Sequence, residues 1–69
     1  MADQTVIGKT GRVTGKIAPG MVGEVMLAVR GGSEAFHAYA ADDGVTFAVG
    51  SRVLVVEYFP PRTVLVIRL

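Results

Sequence analysis

Cysteine and tryptophan are absent from this chain, and histidine occurs once. Without cysteine there is no disulfide staple and no thiolate zinc site, the usual reinforcements at 69 residues. One histidine, His37, makes a poor transition-metal site on its own. No serine lies in an arrangement that signals a nucleophile, and no cysteine exists to serve as one. Long apolar runs are missing as well. A spanning helix needs about 20 consecutive apolar residues, but the strongest runs here, residues 25–29, 53–56 and 64–67, are each closed by charge. Glu24 and Arg30, Arg52 and Glu57, and Arg62 and Arg68 bracket them. The opening Met1-Ala2-Asp3-Gln4 has neither the basic start nor the apolar stretch of a secretory signal. Charge bias is small: seven Lys/Arg against six Asp/Glu give +1. A nucleic-acid-binding domain usually carries a basic footprint with a pI above about 9; the value here is 8.2.

What is present is apolar: 51% of residues are hydrophobic, against 19% charged. A chain of this length forms one domain and buries only about 60% of the surface its unfolded form exposes. A mean hydropathy of +0.49 therefore implies more apolar surface than one small core can hide. With no membrane span in these residues, the surplus is expected to be an interface.

The punctuation is glycine, nine of them with three prolines. Between these marks lie short segments rich in Val, Ile, Leu, Thr and aromatics, which read as five strands. The first covers residues 5–17, anchored by Val6, Ile7, Val13 and Ile17; Gly8, Gly11 and Gly15 predict a bend or bulge in it. Ala18-Pro19-Gly20 is a tight turn. The second strand covers residues 23–30, with Val25, Leu27 and Val29 on one face. Gly31-Gly32 signals a hairpin. The third covers residues 34–40, placing Phe36, Ala38 and Ala40 on one face and His37 and Tyr39 on the other. Asp42-Asp43-Gly44 turns the chain, and residues 45–50 connect to the fourth strand, residues 52–59, which ends at Pro60-Pro61. The fifth covers residues 63–69. No window carries a helical stripe. The expected fold is all-β, a five-stranded OB-fold-like small barrel, whose closure removes exposed sheet edges. Residues 6–69 are expected to form that domain, and residues 1–5 to be a flexible N-terminal segment or an artificial start.

The last two strands are apolar on both faces, although a small barrel has a single interior. Pairing them is expected to set Leu54, Val56 and Tyr58 beside Val64 and Val66 on the outer wall. Either loops or the N-terminal segment cover that patch, or, as expected here, it is a docking face. Tyr39 and His37 are weaker candidates, and Arg52, Glu57 and Arg68 form a charged rim.

Other motifs carry less. Gly8-Lys9-Thr10 matches the end of a phosphate-binding loop, but Asp3 stands where that loop needs glycine and no helix follows. Asp42-Asp43-Gly44 lacks the later acidic ligands of a calcium loop and is a turn. No metal, cofactor or catalytic group is expected. The alternative function is a single-stranded nucleic-acid binder, with Lys9, Arg12 and Lys16 as cations and Phe36, Tyr39, Phe47, Tyr58 and Phe59 as stacking surfaces. Phe36 and Phe47 read instead as core, and nucleic acid is not the favoured partner.

Gly8-Lys9-Thr10-Gly11-Arg12-Val13, the Pro-Gly turn, the Gly-x-Val strand and the alanine-bearing strand at residues 36–40 together resemble the NfeD-like C-terminal domain. The tail adds to the likeness: Gly50-Ser51-Arg52-Val53-Leu54-Val55-Val56-Glu57, then a turn and Thr63-Val64-Leu65-Val66. The resemblance covers residues 7–69. It implies an OB-fold barrel, soluble and on the cytoplasmic side, at the C-terminus of a membrane protein whose membrane segment is absent from this chain. It implies a non-catalytic interaction module whose partner is a stomatin- or flotillin-type (SPFH) membrane scaffold, or self-association.

Overall fold

In the computed structural model, which describes residues 6–29 and 31–69, the valine-rich segments form five strands. They are β1 (Thr10–Gly15), β2 (Gly23–Val29), β3 (Gly32–Ala40), β4 (Arg52–Phe59) and β5 (Thr63–Arg68). The sheet closes on itself in the order β1-β2-β3-β5-β4. All neighbours are antiparallel except β3 and β5, which run parallel. This is the expected five-stranded, all-β, OB-like barrel.

The period-two pattern decides what fills it. Along β2, Val25 and Leu27 point in while Glu24 and Met26 point out. Val13, Ile17, Val53, Val55, Val64 and Val66 complete the interior with Phe36, Ala38 and Phe47, all buried. β-branched side chains suit such walls because they pack well on a pleated surface. The connection from β3 to β4 caps one end of the barrel: Ile17 and Phe47 exchange backbone hydrogen bonds of 3.1 and 2.8 Å, and both side chains are buried. Gly23 lets that cap close. A Cβ there would stand 2.6 Å from the Gly15 carbonyl oxygen and 2.7 Å from that of Lys16.

Strand boundaries match the sequence reading closely for β4 and less well at the start. The first strand begins at Thr10, not near residue 5. Gly8 adopts φ +90°, a conformation open to glycine, and the Lys9 N–H donates back to the Val6 carbonyl at 3.1 Å. That turn sends Val6 into the core but leaves Ile7 42% exposed, so Ile7 is not the interior anchor expected. The expected bulge is present between Val13 and Gly15. Residue 5 of the first expected strand, Arg30 at the end of the second, and the expected N-terminal segment 1–5 lie outside the described residues.

The placement of Val64 and Val66 on the outer wall is also corrected. Both are 0% exposed. Val66 faces Val55, which is inward, and the ladder then slips between Val55 and Glu57. One extra residue enters β4 there, and side chains beyond it change face. Tyr58 consequently lies opposite Val64 and packs against the core, half-buried, instead of joining Leu54 outside.

Candidate functional site

The outer wall of β4 and β5 is apolar, but its residues are the alternate set. On β5, Leu65 and Ile67 face outward, half-buried, because Val64 and Val66 face in. Leu54 lies opposite Ile67 across the β4–β5 ladder, and Tyr39 lies beside Leu65 across the parallel β3–β5 ladder. Glu57 is also opposite Leu65, and Phe59 is opposite Thr63. Val56 sits at the ladder slip, half-buried. Tyr39 is 45% and Phe59 50% exposed. His37, exposed, stands beside Thr63 one step along from Tyr39.

Of the seven residues expected at a docking face, Leu54, Val56, Tyr39 and His37 thus share the outer surface of three adjacent strands. Val64, Val66 and Tyr58 belong to the interior. Leu65, Ile67 and Phe59 were missed. The two halves of the β5 alternation are equally apolar, and each ends on a polar residue (Thr63 in one, Arg68 in the other), so only the register distinguishes them. The charged rim survives: Arg52 and Arg68 are exposed at the end of the wall where β4 begins and β5 ends, with Glu57 outward between Leu54 and Phe59.

Little polar machinery stands anywhere on the barrel. Among the described residues no polar or charged side chain is buried, and no group of three or more His, Asp or Glu converges. No helix among the described residues is long and apolar enough to cross a membrane. Thr14 Oγ1 donates to Glu24 Oε1 at 2.8 Å on the surface. At the opposite barrel end, where β2 passes into β3, Arg62 Nη1 donates to the Ala35 carbonyl at 2.8 Å and lies 3.7 Å from Glu34 Oε1.

The residues weighed for nucleic acid are dispersed. Phe36 and Phe47 are buried in the core. Arg12 faces outward on β1 directly opposite Arg52, whereas the exposed aromatics Tyr39 and Phe59 lie on β3 and β4. Tyr39 is therefore two strands from Arg12 through β2 and three through β4 and β5.

Comparison with known proteins agrees with the geometry. The family model described as the NfeD C-terminal domain matches residues 10–67. The soluble domain of a Corynebacterium glutamicum membrane protein implicated in regulation of membrane protease activity superposes with a TM-score of 0.77 at 25% identity, covering 94% of each chain. The C-terminal domain of the Pyrococcus horikoshii stomatin operon partner protein 1510-C is similar over 100% of this chain and 95% of its own, with TM-score 0.70 and 29% identity. The soluble domain of the NfeD protein YuaF from Bacillus subtilis has TM-score 0.77 at 25% identity, covering 93% of this chain and 74% of its own. No curated protein sequence matches.

Proposed function

Since this chain belongs to the NfeD C-terminal domain family, we propose that it is a non-catalytic protein-interaction domain, the soluble part of a membrane-anchored protein, on the cytoplasmic side, that docks a stomatin- or flotillin-type (SPFH) scaffold. The observation that carries the reading is the outward apolar wall of β3, β5 and β4: Tyr39, Leu65, Ile67, Leu54, Val56 and Phe59. Apolar atoms on a closed barrel gain nothing inside it, so their burial against a partner is available to drive association at about 25 cal/mol per Å². Arg52, Glu57 and Arg68 at the rim would set orientation more than affinity. The choice of scaffold is supported by a structural relative being a stomatin operon partner. The shortage of buried polar groups among the described residues supports binding over catalysis.

An amide-resolved NMR titration with a soluble SPFH-domain fragment tests it. Shifts confined to β3, β4 and β5, lost in Leu54→Asp, are the expected result. Absence of shifts, or shifts centred on Arg12 and β1, would overturn the reading.

A further inference from the structure

Among the described residues only the second half of β3 is paired on the side where the barrel closes onto β5. The ladder of β3 with β2 runs from Gly32 opposite Val29 to Ala38 opposite Gly23. Its ladder with β5 begins only at His37, opposite Thr63. The His37 N–H donates toward that side, to the Arg62 carbonyl at 2.8 Å. Backbone groups alternate between the two sides of a strand, so the N–H groups of Ser33 and Ala35 point the same way. Among the described residues they meet no backbone partner there. The Ala35 carbonyl is met by a side chain, the Arg62 guanidinium at 2.8 Å, which stands where a neighbouring strand would place an amide.

A cleft of about 390 Å³ opens beside this half-strand. Val6, Val29, Phe36 and Tyr58 line it, with Glu34 and Arg62 at its mouth. Phe36 and Tyr58 meet edge-to-face, and the Arg62 guanidinium carbon lies 5.8 Å from the Phe36 ring centroid. Val29 of β2 and Gly32, Glu34 and Phe36 of β3 line the cleft from one phase of the alternation, with Ser33 at its edge, so a strand laid against residues 32–36 would direct every second side chain into it.

We infer that the free half of β3 accepts an extended peptide as an added strand, in line with β5, with alternate aliphatic side chains in the Phe36–Tyr58 cleft. The backbone edge requires an extended occupant, and the lining requires apolar side chains at period two. Charge at the mouth selects an uncharged segment. Arg62 and Glu34 are 3.7 Å apart and offset each other, leaving no net field for an acidic peptide or a nucleic acid. This surface is separate from the β4–β5 wall and does not depend on the docking proposed there.

The test is hydrogen exchange and amide NMR of the 69-residue chain with the capped peptide acetyl-SVTVTQ-amide. Expected are slowed exchange at Ser33 and Ala35 and shifts around Phe36, Tyr58 and Arg62. Ala35→Pro, which removes an outward N–H while sparing the β2 ladder, should weaken binding about tenfold or more. Leu54→Asp should leave it unchanged. Two N-methylated peptides avoid any question of folding: methylation at the valines or at the alternate residues should abolish binding in one case only. Equal effects of the two methylations would overturn the inference, as would no saturation by about millimolar peptide. So would protection of Ser33 and Ala35 without peptide that rises with protein concentration, since the occupant would then be a second copy. Loss of peptide-free protection on removing residues 1–5 would show that the chain fills its own edge, and would likewise overturn it.

Discussion

The ring of Tyr58 stands edge-on to that of Phe36, 6.3 Å between centroids at 77°. The contact exists because the β4 ladder slips one residue between Val55 and Glu57, turning Tyr58 inward against Val64. Its hydroxyl then donates to the Pro61 carbonyl at 3.0 Å, tying the strand to the turn that follows. Tyr58→Phe should keep the ring contact and lose only that exposed hydrogen bond, for a cost below about 1 kcal/mol. Tyr58→Ala removes the aromatic pair and half-buried area together and should cost about 2–3 kcal/mol. Urea unfolding of both variants checks the order.

Val64 and Leu65 are adjacent and both apolar, yet they should respond oppositely to a charge. Val64 is 0% exposed, and an unpaired carboxylate there costs several kcal/mol, comparable with the whole stability of so small a domain. Val64→Asp should therefore not fold. Leu65→Asp places its charge on the outer wall, where it loses a half-buried side chain and faces Glu57, and should cost about 1–2 kcal/mol without unfolding the domain, while weakening the proposed scaffold contact. Circular dichroism settles the first and the SPFH titration the second. If Val64→Asp folded and Leu65→Asp did not, the assignment of inner and outer faces would be reversed.

The same two residues mark where legibility in the sequence stops. Period two separates Val25 and Leu27 from Glu24 and Met26 at once, because one phase is polar. In β5 both phases are apolar, and alternation alone cannot say which faces in. In β4 the ladder slip leaves no mark in composition, since no glycine or proline lies at residues 53–57. A face extrapolated from Leu54 through Val56 to Tyr58 thus crosses the barrel wall. Ile7 shows the complementary limit: a glycine at residue 8 advertises a break, but not that of the two apolar residues before it only Val6 enters the core. Phe36 and Phe47 were legible as core because each sits among small residues in segments bounded by turns.

Arg12 and Arg52 are directly opposite on β1 and β4, both exposed, and like charges so placed repel. Arg12→Gln should leave stability unchanged or raise it by about 0.2–1 kcal/mol at low salt. The gain should fade toward 1 M salt, where the screening length falls to about 3 Å. Thermal unfolding across a salt series reads this directly. The same variant bears on nucleic acid. A single strand held by Lys9, Arg12 and Lys16 would make Arg12→Gln weaken oligonucleotide binding and flatten its salt slope. With Tyr39 two strands away and Phe59 at the far end of β4 from Arg52, no such binding is expected.

Two glycines in contact with the core should differ in how their replacement can be relieved. At Gly23 an added methyl meets the Ile17 Cγ1 and, beyond that side chain, the carbonyl oxygens of Gly15 and Lys16, 2.6 and 2.7 Å away. The two oxygens are backbone atoms and cannot move independently, whatever the Ile17 side chain does. At Gly11 the nearest atom is the Leu27 Cδ2, 2.5 Å away, the end of a flexible side chain, with the Met26 carbonyl oxygen next at 3.0 Å. Both substitutions overpack the interior, at a typical cost of about 1–3 kcal/mol. Gly23→Ala should fall at or beyond the upper end, with no single side-chain change restoring it. Gly11→Ala should be partly rescued by Leu27→Val, which shortens the clashing branch, so the double variant should be more stable than the sum of the two singles. Coupling of the opposite sign, measured by a double-mutant cycle in urea, would place the Gly11 strain in the backbone instead.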